Sequence, residues 1–112
     1  FIEPFLGGGT VFLNVEANRY LLNDIDTHLY NLHKFLYHSH QYGFDNFIEN
    51  VLKVIDDYGL SKSFYEDIVP ISLKKEFKKT YYAKFNKDGY NNLKKEFNKN
   101  KNYLFLYLLV IF

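Results

Sequence analysis

There is no cysteine in the chain, which excludes disulfides, thiolate metal sites and cysteine nucleophiles. Methionine and tryptophan are absent too, and the only prolines are Pro4 and Pro70. No basic segment leads into an apolar one, as a secretory leader would require. The longest apolar run, residues 103–112, is about half the roughly 20 residues a membrane-crossing helix needs. The expectation is a cytoplasmic protein with no membrane partner. The opening Phe1-Ile2-Glu3-Pro4-Phe5 reads as the tail of a strand already under way, and the chain stops inside an apolar run. Both ends therefore read as cut, and an internal fragment is expected.

What is present is aromatic, with 12 Phe and 11 Tyr in 112 residues. With 47% hydrophobic residues the chain can bury one core. The net charge of +1 hides a lopsided distribution. Residues 1–70 hold ten acids against four bases, whereas residues 74–101 hold ten lysines against Glu76, Asp88 and Glu96. Such a basic half fits a polyanion partner, although a solvated helix surface accounts for it equally well on composition alone.

Along the chain, residues 1–5 read as strand, and Gly7-Gly8-Gly9 break any regular element. Thr10 is the expected cap of a short helix through Val11, Phe12 and Leu13, and residues 19–23 fit a second strand. Strand, glycine turn, helix and strand make a βαβ unit of the nucleotide-binding kind. Helical spacing follows from Asp26 to about His40, with Asp26 or Thr27 as cap, then from Asp45 to near Gly59. Past Pro70 the pattern predicts a helix from Ser72 to about Phe85, a turn at Lys87-Asp88-Gly89, and a helix from Asn91 to Asn98. Residues 103–112 are taken as helix on their leucine content, although strand is equally compatible with the pattern. The expected organisation is α/β: a βαβ portion over 1–44, a helical, basic region over 45–102, and from 103 a buried element returning to the first part.

The chemistry lies in Glu3-Pro4-Phe5-Leu6-Gly7-Gly8-Gly9-Thr10. Its glycines let backbone N–H groups face a ligand. Asp24, at the end of the second strand, can accept hydrogen bonds from both hydroxyls of a ribose. A dinucleotide fingerprint would need a third glycine near Phe12, and no Gly-Lys-Ser/Thr follows to make a P-loop. An adenosine-containing cofactor with a cationic sulfonium fits better, because an acid such as Glu3 complements its charge.

Residues 3–14, Glu-Pro-Phe-Leu-Gly-Gly-Gly-Thr-Val-Phe-Leu-Asn, resemble the first S-adenosylmethionine (AdoMet) motif of the Dam-like DNA adenine N6-methyltransferases. Residues 20–26, Tyr-Leu-Leu-Asn-Asp-Ile-Asp, resemble that family's second motif, with Asp24 at the ribose-binding position. Residues 93–98 and 104–108 resemble segments that precede the family's recognition and catalytic regions. The resemblance implies the start of a Rossmann-like methyltransferase sheet plus a helical insertion. It further implies Glu3, Pro4, Phe5, Gly7, Gly9 and Asp24 at AdoMet, and Lys74, Lys75, Lys78, Lys79, Lys94 and Lys95 at double-stranded DNA. A restriction endonuclease is the protein partner such a family can carry. The family's Asp-Pro-Pro-Tyr motif is not in the sequence, so no catalytic residue is assigned and this segment alone is expected to be inactive.

Each feature has a plainer reading. The glycines can be a structural turn, and Asp24 a helix cap, the role assigned to Asp26. His28, His33, His38 and His40 lack the His-x-x-x-His spacing of a zinc pair, so no metal is expected. Tyr81, Tyr82 and Tyr90 are core candidates that also sit among lysines. Two rival functions stand beside the methyltransferase: a non-enzymatic DNA-binding module, and a Rossmann-type NAD or flavin enzyme, which Phe12 disfavours.

Overall fold

Two short strands, β1 (Ile2–Glu3) and β2 (Leu21–Leu22), pair in parallel, with Ile2 opposite Leu21 and Glu3 opposite Leu22. The computed structural model describes residues 1–112 and divides them into two units, Phe1–Gln41 and Tyr42–Phe112. The strands are shorter than the expected 1–5 and 19–23. Pro4 has no N–H to continue the ladder, yet single backbone bonds extend the contact. The N-terminus of Phe1 donates to Arg19 O, Asn23 N to Glu3 O and Leu6 N to Asn23 O, each at 2.9 Å.

Parallel strands require a long crossover, here residues 4–20. The expected helix within it is a single 3-10 turn, Phe12–Asn14, entered from Val11 with no side-chain cap, so Thr10 is not the cap. Val15 is extended at φ −115°, and the Tyr20 hydroxyl ties down the return by donating to Val15 O and accepting from Ala17 N. Helix α1, Thr27–Gln41, follows β2. Asp26 caps it as expected: its Oδ1 accepts from His28 N at 2.8 Å and Leu29 N at 3.3 Å.

The second unit is helical: α2 (Phe44–Asp57), α3 (Ile71–Glu76), α4 (Tyr81–Asn100) and α5 (Tyr103–Ile111). Helix α2 starts one residue before Asp45, from Gly43 at φ +107°, leaving Asp45 in the first turn where it faces the positive helix end. Gly59, at φ +63°, closes it as expected.

Two expectations fail after Pro70. The helix drawn from Ser72 to Phe85 breaks at residues 77–80. An unbroken helix would set Lys74 over Lys78 and Lys75 over Lys79, like charges one turn apart. The turn drawn at residues 87–89 does not exist, because α4 runs through it. Gly89 is buried against the main chain of Tyr58, where a Cβ would overlap Tyr58 O. The glycine serves a close approach of two backbones, and packing overrides its poor helix propensity.

Lys101, at φ +52°, ends α4, and Asn102 caps α5 by accepting from Leu104 N at 3.0 Å. That cap resolves the helix-or-strand ambiguity of the apolar run in favour of helix. Helix α5 packs on α4 and α2 around Val51, Ile55, Leu60, Leu93 and Leu108. Leu93 and Leu108 are wholly buried, and truncating either to alanine removes about 2–5 kcal/mol. The fold is thus mostly helical with a small two-stranded parallel sheet. No helix is long and apolar enough to cross a membrane.

Candidate functional site

The glycine turn leaves β1 and is held by two acids. Asp24 Oδ2 accepts from Gly7 N at 2.7 Å, while its Oδ1 accepts from Asp26 N at 2.8 Å. Glu3 Oε2 accepts from Phe12 N at 3.2 Å. Gly9 N is bonded internally to Leu6 O at 2.8 Å. The N–H of Gly7, first among these groups, holds the Asp24 carboxyl below the ordinary aspartate value of 3.8, and that of Asp26 adds to the effect. Asp24 therefore acts locally as an Asx-type brace between the turn and the residue that caps α1, not as the helix cap of the plainer reading, since Asp26 fills that role. An ionised carboxylate offers about four lone-pair positions, so two backbone bonds leave acceptor capacity for a ligand hydroxyl.

The glycines differ. Gly7 has φ +49° with open space where a Cβ would point, and Gly8 is exposed with space around it. Gly9, at φ +81°, is buried, and a Cβ there would lie 2.6 Å from Phe12 Cε1 and 2.9 Å from His33 Cε1. Its need for glycine comes from these two rings and from the left-handed backbone together. Glu3 is half-buried beside the turn; Pro4 is exposed, and Phe5 is 80% exposed.

His33 is the residue sequence reasoning missed. Its Nε2 donates to Gly7 O at 2.9 Å, and its ring meets Phe12 edge-on at 5.8 Å. The Gly7 residue is gripped at its N–H by Asp24 and at its carbonyl by His33. The available signal was a histidine among Leu29, Leu32 and Leu36 on the apolar side of a helix. No three His, Cys, Asp or Glu side chains gather as a metal would require. Beside the turn lies a cavity of about 530 Å³, mostly apolar, with Leu6, Gly8, Phe12, Leu22, His33 and Tyr37 among its walls.

In the second unit the six predicted lysines do not form one group. Lys74 pairs with Asp67, which raises the ammonium pKa and lowers the carboxyl's, and it lies 5.7 Å from the Tyr81 ring centre. Lys75, Lys78 and Lys79 are exposed at the end of α3 and in the turn after it. Lys94 and Lys95 are exposed on α4 without a carboxylate in ion-pair range. Tyr90 is half-buried, its hydroxyl donating to Leu109 O at 3.4 Å, and the rings of Tyr81 and Tyr82 lie 4.5 Å apart at a tilt of 41°.

Comparison with known proteins bears on both units. The chain is 26% identical over all 112 residues to a modification methylase, StsI, of Streptococcus sanguinis, and spans 13% of that protein. It is 35% identical over 65 residues, 57% of its length, to a DNA adenine methylase of Serratia marcescens, of which it spans 23%. A DNA adenine methylase of Vibrio cholerae is 51% identical over 35 residues, 31% of this chain and 13% of that protein. No solved structure matches. The family described as D12 class N6 adenine-specific DNA methyltransferase matches residues 1–111. A match that runs through both units leaves neither to a different family, and the chain belongs to the D12 class N6 adenine-specific DNA methyltransferases.

Proposed function

We propose that the chain is a portion of an enzyme that transfers a methyl group from AdoMet to the exocyclic N6 of adenine in double-stranded DNA, and that Phe1–Gln41 supplies one wall of the cofactor site. The observation that carries this reading is the occupancy of the glycine turn by Glu3 and Asp24. A turn that binds a pyrophosphate presents bare N–H groups to it. Here carboxylates take the N–H groups of Gly7 and Phe12, which repels phosphate and attracts a cation. An adenosine cofactor that carries a sulfonium matches that charge, and NAD does not.

When bound, AdoMet supplies an electrophilic methyl group. This chain's residues bind and orient. Asp24 keeps acceptor positions for ribose hydroxyls, Gly7 and Gly8 leave the turn open, and Glu3 sets a negative charge beside it. We assign Pro4 and Phe5 to the same wall because they fall in the matching motif, and Gly9 because it holds the turn's shape. The two-stranded sheet is, on this reading, the start of a Rossmann-like sheet, and the parent enzyme is cytoplasmic, with a restriction endonuclease as the protein partner this reading carries. The sequence contains no Asp-Pro-Pro-Tyr, the element that would grip a flipped adenine, so the 112 residues alone transfer no methyl group. We assign Lys75, Lys78, Lys79, Lys94 and Lys95 to DNA phosphates, with Lys74 in a lesser role because Asp67 already neutralises it.

Calorimetric titration of the chain with AdoMet, S-adenosylhomocysteine and NAD tests the reading. Weak binding of the two adenosyl-sulfur ligands without NAD binding is expected. Preferential binding of NAD would overturn it in favour of an oxidoreductase.

A further inference from the structure

The three glycine N–H groups of the turn have different fates. Gly7 N is bonded to Asp24 Oδ2 and Gly9 N to Leu6 O, while Gly8 N has no partner within the chain and Gly8 is exposed. The Gly8 N–H belongs to the same peptide unit as Gly7 O, and that oxygen accepts from His33 Nε2 at 2.9 Å. A carbonyl can only accept, so Nε2 is a protonated ring nitrogen. No peptide bond of the chain is cis, and across a planar trans unit the C=O and N–H point in opposite directions. His33 lies on α1, so its bond turns the Gly8 N–H away from that helix and out of the turn.

Local sterics leave this peptide plane free to rotate, because neither residue that flanks it has a Cβ. Even a Cβ built at Gly7 or Gly8 would meet no atom within 4 Å. The imidazole, by contrast, is held fast. It meets Phe12 edge-on at 5.8 Å, and it lies so close to Gly9 that a Cβ there would come 2.9 Å from His33 Cε1. A fixed ring on α1 thus anchors a peptide unit that nothing around it would otherwise orient.

We propose that His33 is a positioning residue for the cofactor: by holding Gly7 O it presents the Gly8 N–H as a donor to an acceptor atom of bound AdoMet. The proposal rests on the reading of this turn as a cofactor site, and it adds a residue that lies outside both motif segments, residues 3–14 and 20–26. Asp24 and His33 then divide the work, Asp24 holding the N–H of Gly7 and His33 setting the direction of the next one.

The test titrates AdoMet calorimetrically into the 112-residue chain and its His33→Phe and His33→Gln variants. Phenylalanine fills the space of the ring but donates nothing, whereas the glutamine amide nitrogen can donate from a similar reach. His33→Phe should bind AdoMet about five- to tenfold more weakly, and His33→Gln should return to within about threefold of the wild type. In the ¹⁵N-labelled chain, saturating AdoMet should move the Gly8 amide proton downfield in the wild type and in His33→Gln, but not in His33→Phe. A residue that only supported the fold would give another pattern, with lowered melting temperatures and a Gly8 amide that responds to AdoMet in all three proteins.

Equal AdoMet affinity in the wild type and His33→Phe overturns the positioning role and leaves the cofactor reading intact. A Gly8 amide that AdoMet does not move in the wild type does the same, and that measurement needs no variant to fold. A wild-type chain that binds neither AdoMet nor S-adenosylhomocysteine overturns the cofactor reading, and the role of His33 with it.

Discussion

Gly89→Ala sets two opposed effects against each other, and the structure says which wins. In the interior of a 20-residue helix, alanine is favoured over glycine by about 0.8–1.0 kcal/mol. Gly89 has ordinary helical backbone, so this gain is available in full. The added Cβ, however, would overlap Tyr58 O and sit 2.9 Å from Leu60 Cδ2. Leu60 can shift a methyl, but Tyr58 O belongs to a main chain pinned on both sides. Tyr58 N is bonded to Val54 O, and Leu60 N to Ile55 O, at 3.0 Å each. Relief must come from moving α4 as a body, which disturbs Leu93 and the packing of α5. Overpacking of a tight interior costs about 1–3 kcal/mol, more where backbone must move. With the upper part of that range set against the propensity gain, the variant should lose about 2 kcal/mol. For a unit of this size that is a fall in Tm of about 8–16 °C. Thermal unfolding followed by circular dichroism reads it directly. A Gly89→Ala variant as stable as the wild type would refute the close approach between Tyr58 and α4.

Within the first unit, Gly9→Val should disrupt the turn severely, since φ +81° and two aromatic rings both oppose a side chain, whereas Gly8→Ala should be tolerated; equal cofactor affinity in both variants would end the assignment of this turn. Asp24→Ala in the intact parent enzyme should weaken AdoMet binding about ten- to a hundredfold, and unchanged affinity would reduce Asp24 to a brace. Because the folded Asp24 carboxyl lies below 3.8, its contribution to the turn is complete above that pH and is lost as the pH falls through the folded value. Acid titration of the Gly7 amide resonance should therefore show a transition below pH 3.8 that vanishes in Asp24→Asn. Tritium transfer from labelled AdoMet to adenine-containing DNA should not occur with the 112-residue chain, and its detection would show that a catalytic group has been overlooked.

Where the sequence carries a local signal, element and structure agree. Gly59 ends α2 through its positive φ, Asp26 caps α1 two and three residues ahead, and the apolar spacing from Phe47 to Ile55 fixes the buried side of α2. The break at residues 77–80 is a local matter of like charges one turn apart, whereas the other misses turn on a partner distant in the chain. Gly89 resembles a turn residue until Tyr58 comes beside it. The start of the 3-10 turn is held by a bond from Phe12 N to Glu3, nine residues earlier. The motif positions Glu3, Gly7 and Asp24 do come together, yet the grip of His33 on the turn was hidden because nothing in its spacing marks a contact with Gly7. Lysine composition, likewise, does not distinguish Lys74, bound to Asp67, from Lys94, which is free.

The double bond of Asp24 to Gly7 and Asp26 has an entropic consequence. A free aspartate must give up its rotamer freedom when a ligand arrives, and ordering a mobile side chain on binding opposes affinity. This carboxylate is already immobile, its two oxygens fixed by backbone on either side, so that loss is taken during folding instead of at the encounter. A ligand that needs two acceptors in fixed register therefore meets a preorganised template. The same rigidity makes glutamate a poor replacement, since one extra methylene would carry the oxygens past both N–H groups at once.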